Sequence, residues 1–440
     1  MLKIKCSVTR ETFFKAFWVL FLLEGIITMT VYFLNTISAV FTPYLSIYKI
    51  ALILQAVLAG IYIFVIDKKV YLNKIAAAFL LFLPVGMVLG IIKGQLNTKY
   101  LSHMYFYIMP IMLMSFGYAF YREYERNENL QRYVKKIIFI AAVVSSIYVL
   151  VFTLGSKLGL LRYNNFGVTM GSYAMTFYLC GSNLEILMGY LLIVINIMTK
   201  KRVVLVASVA LLIIAYFIGR KTNKKVAIHL FLLAALGGAC IYLACNTTVF
   251  SRILTTISGI LGGGGKKDLY AATGGRDLEI ECIVEYLNSD KMMWLWGIGF
   301  GGRVWIKELY RHYSHFSPLA YVMTGGIFFS AYLYISLIWY AVLGVSKGMK
   351  GKLRQLDMPY VLLLCYFVLT SLSGPNILST PLCWFVVGAN VWLVKDRVCI
   401  LKMQNRMGGK IYEKGTYCGT GHSAMVCGSS DRGDGGEGKR

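Results

Sequence analysis

Charged side chains are scarce in this chain, and their scarcity defines the class of protein. Only 15% of the 440 residues are Asp, Glu, Lys or Arg, whereas 58% are hydrophobic. Uninterrupted apolar runs recur along the sequence, and many are long enough to cross a hydrocarbon core of roughly 30 Å. A soluble fold is therefore excluded, and we predict an all-α polytopic membrane protein.

Acidic residues are less numerous than basic residues. Twenty Asp and Glu accompany 45 Lys and Arg, which gives a formal net charge of +25. The Lys and Arg residues cluster in short segments between apolar runs, and they form no basic face interleaved with aromatic residues. This distribution is typical of the cytoplasmic loops of membrane proteins, so we predict no nucleic-acid partner.

Metal-binding and disulfide motifs are missing from the sequence. None of the ten cysteines forms a Cys-x-x-Cys pair, and most lie in or near apolar runs, where cysteine behaves as a small hydrophobic residue. No group of His, Cys and Asp has the spacing of metal ligands, so we predict neither a metal nor a cofactor. No cleavage site accompanies the first apolar run, and we expect a retained first span rather than a signal peptide.

The number of spans depends on residues 160–202. If this stretch holds one span, the basic segments 220–225 and 347–354 both face outward, against the preference of Lys and Arg for cytoplasmic loops. If it holds two short spans, near 166–182 and 186–199, both basic segments return to the cytoplasm, at the cost of a tight turn at 182–185. We therefore predict about twelve transmembrane helices in the plasma membrane, with both termini in the cytoplasm.

This arrangement places one large loop outside the membrane. The predicted loop, residues 246–316, joins the ninth span to the tenth, and its basic and acidic residues nearly balance. The membrane domain is predicted to cover residues 1–407. Residues 408–440 are rich in Gly and Ser and cannot bury a core, so we predict a disordered cytoplasmic tail.

The outer loop carries a distinctive residue order. Residues 275–287 have the pattern of an amphipathic helix, with Leu278 and Cys282 on an apolar face. Three acidic residues are predicted on a solvated face: Asp277, Glu281 and Glu285. Arg276 falls in the first turn, where free N–H groups and the helix dipole favour an anion. The glycine-rich run 296–302 has a backbone that can turn sharply or approach a ligand closely.

Several single residues are candidates for chemistry. His315, at the end of the loop, is suited to accept a proton near neutral pH, and His312 and Glu281 are alternatives. Glu24 lies midway along the first span, where a carboxyl group is costly and is by default a functional candidate. The cationic corner 200–202 either anchors a span end to lipid headgroups or, through Arg202, binds a diphosphate.

The order Gly-Arg276, then Gly-x-Gly-x-Gly, then His315 at the end of an outer loop resembles the O-antigen ligase and Wzy-type polysaccharide polymerase superfamily. In that family a Gly followed by Ile or Leu stands eleven positions after the His, as Gly326 and Ile327 do here. Phe316 stands where the family has Asn, Ser or Gln after the His. The polar role at that place is therefore left to Ser314 or Ser317.

Two further arginines contribute to the resemblance. Arg202 resembles the arginine of the family's Ser-Arg motif, without its serine, and Arg162 stands where these proteins often carry another arginine. The resemblance implies a metal-independent glycosyltransferase that takes a glycan from an undecaprenyl diphosphate carrier at the outer face of the membrane. It implies that Arg276, Arg202 and Arg162 hold the diphosphate and that His315 acts on the acceptor hydroxyl.

The resemblance is compatible with two different products. A polymerase joins lipid-linked repeat units into a surface polysaccharide, whereas a ligase moves finished chains onto a lipid or wall acceptor. A lipid-linked oligosaccharide flippase is a third possibility, although such folds usually show two related halves and short outer loops. We favour the polymerase. Its expected partners are the lipid-linked oligosaccharide and membrane lipids. We expect the tail 408–440 to be dispensable, with contact to a chain-length regulator as the alternative.

Overall fold

Helices make up nearly all of the described structure. The computed structural model describes residues 9–161, 170–199, 202–222, 276–306, 309–311, 314–372, 374 and 379–396. All of these except Asp396 belong to one compact unit. The predictions for Arg162, His312, the corner at 200–201, the ninth span and the tail 408–440 lie outside the described residues.

The predicted outer loop, residues 246–316, is called the polar segment below. The helices before it are, in chain order, α1 (Arg10–Ile37), α2 (Tyr48–Ile61), α3 (Lys74–Ile92), α4 (Thr98–Tyr124), α5 (Glu128–Lys157), α6 (Gly171–Tyr178), α7 (Asn183–Met198) and α8 (Arg202–Thr222). The polar segment contributes α9 (Arg276–Asn288), α10 (Lys291–Trp296) and a short antiparallel hairpin of β1 (Val304–Ile306) and β2 (Leu309–Arg311). The helices α11 (Ser317–Met349), α12 (Met358–Ser371) and α13 (Pro381–Val391) follow. A 3₁₀ helix, Ala39–Ser46, precedes α2, and π-helical turns follow α2 and α13.

Length and composition make this a membrane protein. Six helical segments among the described residues are long and apolar enough to cross a bilayer, and four shorter apolar helices accompany them. In a bilayer every backbone N–H and C=O group needs a partner within the protein, and the α-helix supplies it locally. The prediction of an all-α polytopic membrane protein is confirmed at this level, with the hairpin as the single β element described.

Asparagine side chains define the starts of three helices. Asn73 accepts a hydrogen bond from the Ala76 N–H group at 2.8 Å, Asn97 from Lys99 at 2.9 Å and Asn127 from Leu130 at 3.0 Å. Each bond satisfies a first-turn N–H group that has no partner within its helix. These caps fix the short connections that turn the chain back after α2, α3 and α4.

Residues 160–202 contain two helices in their described part, α6 and α7. The turn between them is closed by a reciprocal pair of hydrogen bonds, in which the Ser182 N–H group donates to Glu185 Oε2 at 2.5 Å and the Glu185 N–H group donates to Ser182 Oγ at 3.3 Å. This is the capping-box pattern, and it starts α7 directly after the turn. The helix α7 lies within three residues of the predicted stretch 186–199. The helix α6 covers only 8 residues of the predicted stretch 166–182, whose first residues, 166–169, lie outside the described part, so the two predicted spans stay a prediction.

Polar contacts gather the helix ends into two groups. Arg10 pairs with Asp67 and Arg354 with Glu125, both at 3.1 Å, and the Asn127 amide donates to Glu11 Oε2 at 3.0 Å. The start of α1, the end of α2, the α4–α5 connection and the α11–α12 connection therefore share one end. At the other end, the Asn97 amide donates to the Gly301 carbonyl at 3.0 Å. The α3–α4 connection and the polar segment therefore lie together.

The tightest helix contact in the core joins α4 to α13 through glycine. A Cβ atom at Gly117 would lie 2.0 Å from the Phe385 carbonyl oxygen, and one at Gly388 would lie 2.0 Å from that of Met114. Small residues permit backbones to approach closely in membranes, where packing rather than hydrophobic exclusion drives association. Phe17 of α1 stacks on Phe385 at 4.5 Å between ring centroids and extends this contact to a third helix.

Candidate functional site

The helix α9 begins at Arg276, as the sequence predicts, but it buries a different face. Its buried residues are Glu279, Ile283 and Leu287, at i, i+4 and i+8. The predicted apolar face, with Leu278 and Cys282, is only partly buried. The prediction of that face is therefore wrong. The reason is that the carboxylate of Glu279 turns inward to a polar partner, which no local hydrophobic pattern reveals.

The partner of Glu279 is His315, which lies just before α11. The ring nitrogen Nδ1 of His315 is 2.8 Å from Glu279 Oε2, and the backbone N–H group of His315 donates to Glu279 Oε1 at 2.6 Å. Both carboxylate oxygens thus bind the same residue. The Glu279 side chain is 8% exposed and the His315 side chain 33% exposed. The pair is a largely enclosed carboxylate that orients a solvent-accessible imidazole.

The charge state of Glu279 determines which imidazole nitrogen carries a proton. Burial opposes the ionisation of Glu279, yet hydrogen bonds from the His315 ring, the His315 N–H group and Ser314 outweigh it and hold the pKa of this carboxyl below its usual range. An ionised carboxylate only accepts hydrogen bonds, so Nδ1 of His315 is the donor. In the neutral ring, Nε2 then carries the lone pair and is the atom able to accept a proton.

Ser314 completes this group, whereas Ser317 does not. Ser314 is fully buried, its hydroxyl oxygen accepts a hydrogen bond from the Phe316 N–H group at 3.1 Å, and its side chain also bonds to Glu279. Ser317 instead donates to the carbonyl oxygen of Gly374 at 2.7 Å. Of the two serines that the sequence left open, Ser314 is the one at the Glu279–His315 pair.

A kink at Gly326 places the start of α11 against the glycine-rich run. Gly326 has a φ of 80° and a ψ of 173°, a conformation essentially restricted to glycine that costs a residue with a side chain on the order of 1–3 kcal/mol. A Cβ atom there would also lie 1.8 Å from the Leu295 carbonyl oxygen. The run packs beside the kink, because the Ile298 N–H group donates to the Met323 carbonyl at 2.7 Å. The glycine that resembles the family motif is therefore a backbone requirement.

The same glycine-rich run is fixed on its other side by α3 and α4. The Phe300 N–H group donates to the Gly86 carbonyl at 3.0 Å, and the Gly301 N–H group donates to His103 Nδ1 at 3.1 Å. A Cβ atom at Gly299 would lie 2.8 Å from the Gly90 nitrogen. Of the two predicted uses of this run, the sharp turn is observed, because Gly297, Gly299 and Gly301 all have positive φ. The close approach that the structure describes is to protein backbone, and approach to a ligand stays a prediction. The run holds the polar segment on the α3–α4 connection.

The other predicted site residues that the structure describes lie on α1, α8 and α9. Arg276 is exposed at the start of α9, one turn before Glu279, a rise of about 4.5 Å along the helix axis. Arg202 begins α8, and its side chain lies outside the described residues. Glu281 is exposed on α9. Glu24 lies in α1, where it accepts a hydrogen bond from Thr28 at 3.1 Å.

Glu279 is the residue that sequence reasoning missed. No local pattern signalled it, because its partner His315 lies 36 positions further along the chain. Within the described residues, no group of three His, Cys, Asp or Glu side chains is placed to hold a metal ion. Comparison with protein-family models, with curated protein sequences and with solved structures finds no match.

Proposed function

We propose that this protein is a metal-independent glycosyltransferase that polymerises lipid-linked oligosaccharide repeat units into a surface polysaccharide. The observation that carries the proposal is the coupling of His315 to the helix that begins at Arg276. Glu279 holds the imidazole by two hydrogen bonds, and Arg276 lies one turn away on the same helix. A proton acceptor and an anion ligand are thus held by one short helix.

The reaction needs both groups at once. The Nε2 atom of His315 would accept the proton of an acceptor sugar hydroxyl as its oxygen attacks the anomeric carbon of the donor glycan. The bond from that carbon to the diphosphate oxygen breaks, and the diphosphate of the undecaprenyl carrier leaves with the bonding electrons. Arg276 would hold this anion with its planar fork, and the positive end of the α9 dipole would assist it.

We also propose a location and an orientation for the protein in the cell. Twelve spans in the plasma membrane, with both termini in the cytoplasm, put residues 246–316 on the outer face. The grouping of the basic connections after α2, α4 and α11 at one end of the described unit supports this orientation, since cytoplasmic loops concentrate Lys and Arg. Arg202 and Arg162 would approach the diphosphate from the preceding outer connections, and lipid-linked oligosaccharide is the partner substrate.

Deletion in the native host, followed by sizing of the surface glycan, tests the polymerase. Loss of long chains with retention of single repeats is the expected result. Long chains that accumulate on the lipid carrier would indicate a ligase instead. A second measurement separates enzyme from transporter: purified protein in detergent should extend lipid-linked repeats without any gradient. Gradient-dependent movement without chain growth would overturn the proposal.

A further inference from the structure

A large cavity opens on the polar segment, and α9, the helix that carries Glu279, forms part of its wall. It lies between α9, strand β1 and residues 93–97, which connect α3 to α4, and its volume is about 860 Å³. Ligand sites in proteins commonly measure roughly 300–1,000 Å³, so this cavity has room for a ligand larger than one sugar ring. Because it lies at the end of the unit that also holds the glycine-rich run, it is distinct from the helix core.

Two aromatic side chains line the cavity. Trp305 stands at the middle of β1 with 54% of its surface exposed, while its neighbours Val304 and Ile306 are buried. Tyr286 of α9 is 37% exposed. Trp294, by contrast, uses its indole N–H group to bond Asn288 at 2.9 Å. A sugar ring presents apolar C–H faces between polar edges, and broad amphipathic rings such as Trp and Tyr suit those faces.

The polar lining of the cavity combines donors with acceptors. Lys93 and Arg303 contribute donors, and Glu285 contributes a carboxylate. Gln95 also lines the cavity, and its amide oxygen is buried without a hydrogen-bond partner among the described residues. Sugar hydroxyls both donate and accept hydrogen bonds, so they suit a lining that offers donors together with acceptors.

The cavity runs along α9 from the candidate catalytic pair. Cys282, which lines the cavity, lies three residues beyond Glu279, and Tyr286 lies four residues beyond Cys282. With a rise of 1.5 Å per residue, the cavity begins about 4.5 Å along the helix axis from Glu279. One short helix thus carries both the carboxylate that orients His315 and three residues of the cavity lining: Cys282, Glu285 and Tyr286.

We propose that this cavity is an oligosaccharide subsite that binds the acceptor glycan, with Trp305 and Tyr286 as stacking platforms and with Lys93, Arg303 and Glu285 as partners for its hydroxyl groups. That the bound glycan is the acceptor rests on the function proposed above, whereas saccharide binding by the cavity does not depend on that function. Residues of this subsite determine how tightly the acceptor binds. The Glu279–His315 pair determines how fast it reacts.

Binding can be measured without turnover. The probe is an oligosaccharide of a few repeat units, released by mild acid from the surface polysaccharide of the native host. Saturation-transfer NMR with the full chain in detergent reports its affinity. Trp305→Ala and Tyr286→Ala should each weaken binding by about tenfold, the effect of losing one aromatic contact of about 1.4 kcal/mol. Trp305→Phe should restore most of it. Trp339→Ala removes an equally exposed tryptophan from α11 and should bind as the wild type does.

The outcomes separate the subsite from the function. Unchanged binding by both Trp305→Ala and Tyr286→Ala, or no binding by the wild type, would overturn the subsite. His315→Ala should bind the oligosaccharide normally yet fail to extend it. Suppose that the cavity variants weaken binding but that neither the wild type nor any variant extends lipid-linked repeats. The subsite is then supported and the proposed polymerase is overturned. In a working extension assay, Trp305→Ala should raise the KM for the acceptor with little change in kcat.

Discussion

His315 Nδ1 lies 2.8 Å from Glu279 Oε2, although 36 positions separate the two residues in the sequence. The second oxygen of the same carboxylate accepts the His315 backbone N–H group. One carboxylate therefore fixes both the position of the residue and the rotation of its ring. A carboxylate that orients an imidazole in this way also selects its tautomer, and it leaves Nε2 as the proton acceptor.

Glu279→Gln tests the tautomer directly. The amide retains the shape of the side chain, but its NH₂ group can donate to Nδ1 and so place the imidazole proton on Nε2. The nitrogen that should accept a proton then becomes a donor. We expect kcat for chain extension to fall between about 10²- and 10⁴-fold, while the protein still accumulates in the membrane. Turnover by purified protein on lipid-linked repeats is the measurement.

Glu281→Gln is the matched comparison. Glu281 lies on the same helix, two residues on, and its side chain is exposed. Its substitution should leave turnover within a few-fold of the wild type. An active Glu279→Gln protein together with an inactive Glu281→Gln protein would move the assignment to the exposed face of α9.

The pH dependence of stability follows from the lowered pKa of Glu279. An unperturbed glutamate has a pKa of about 4.3. Because the folded state holds the pKa of Glu279 below that value, its stabilising effect is complete above about pH 4.3 and is lost as pH falls through the folded pKa. Thermal unfolding in detergent from about pH 5 to about pH 3 should show the wild type losing its advantage over Glu279→Gln. An advantage that grows towards pH 3 would contradict the ionised carboxylate.

The helices were predictable because their cause is local. An apolar run in a membrane must satisfy its own backbone, and the apolar runs near 317–345 and 358–373 accordingly form the helices Ser317–Met349 and Met358–Ser371. The start of α9 at Arg276 was equally accessible. The inward turn of Glu279 was not, because a buried carboxylate is stable only with a partner, and that partner comes from beyond the β hairpin.

The glycines show the same division between local and distant causes. Sequence reasoning identified a run that either turns sharply or approaches a ligand. Which use applies depends on the backbone opposite, and Gly299 meets α3 there while Gly297 meets α11. The importance of Gly326 came only from resemblance. Its physical basis, a positive φ facing the Leu295 carbonyl, appears once α10 and α11 are packed together.

Gly326→Ala should be among the most damaging small substitutions in the chain. The added methyl group combines a positive φ with a 1.8 Å approach to the Leu295 carbonyl oxygen, which belongs to backbone and cannot move alone. We expect the kink to open and the protein to accumulate poorly or to unfold several degrees earlier in a thermal assay in detergent. Gly351→Ala is the control, since its φ is 66° with open space around the added atom. It should cost only about 1 kcal/mol. Equal effects of the two substitutions would remove the packing argument.

Arg276→Lys distinguishes an arginine fork from a simple positive charge. If Arg276 holds the leaving diphosphate, lysine cannot reproduce two parallel hydrogen bonds, and turnover should fall nearly as far as in Arg276→Ala, on the order of 10²–10³-fold. Both variants should accumulate normally because the side chain is exposed. Arg126→Lys, an exposed arginine at the opposite end of the unit, should retain full turnover.

Adding His315→Ala to Arg276→Ala should lower the rate little further, since residues that act together in one step are not additive. Turnover of Arg276→Lys within a few-fold of the wild type would remove Arg276 from the diphosphate site, and glycan length on a gel decides between the two results.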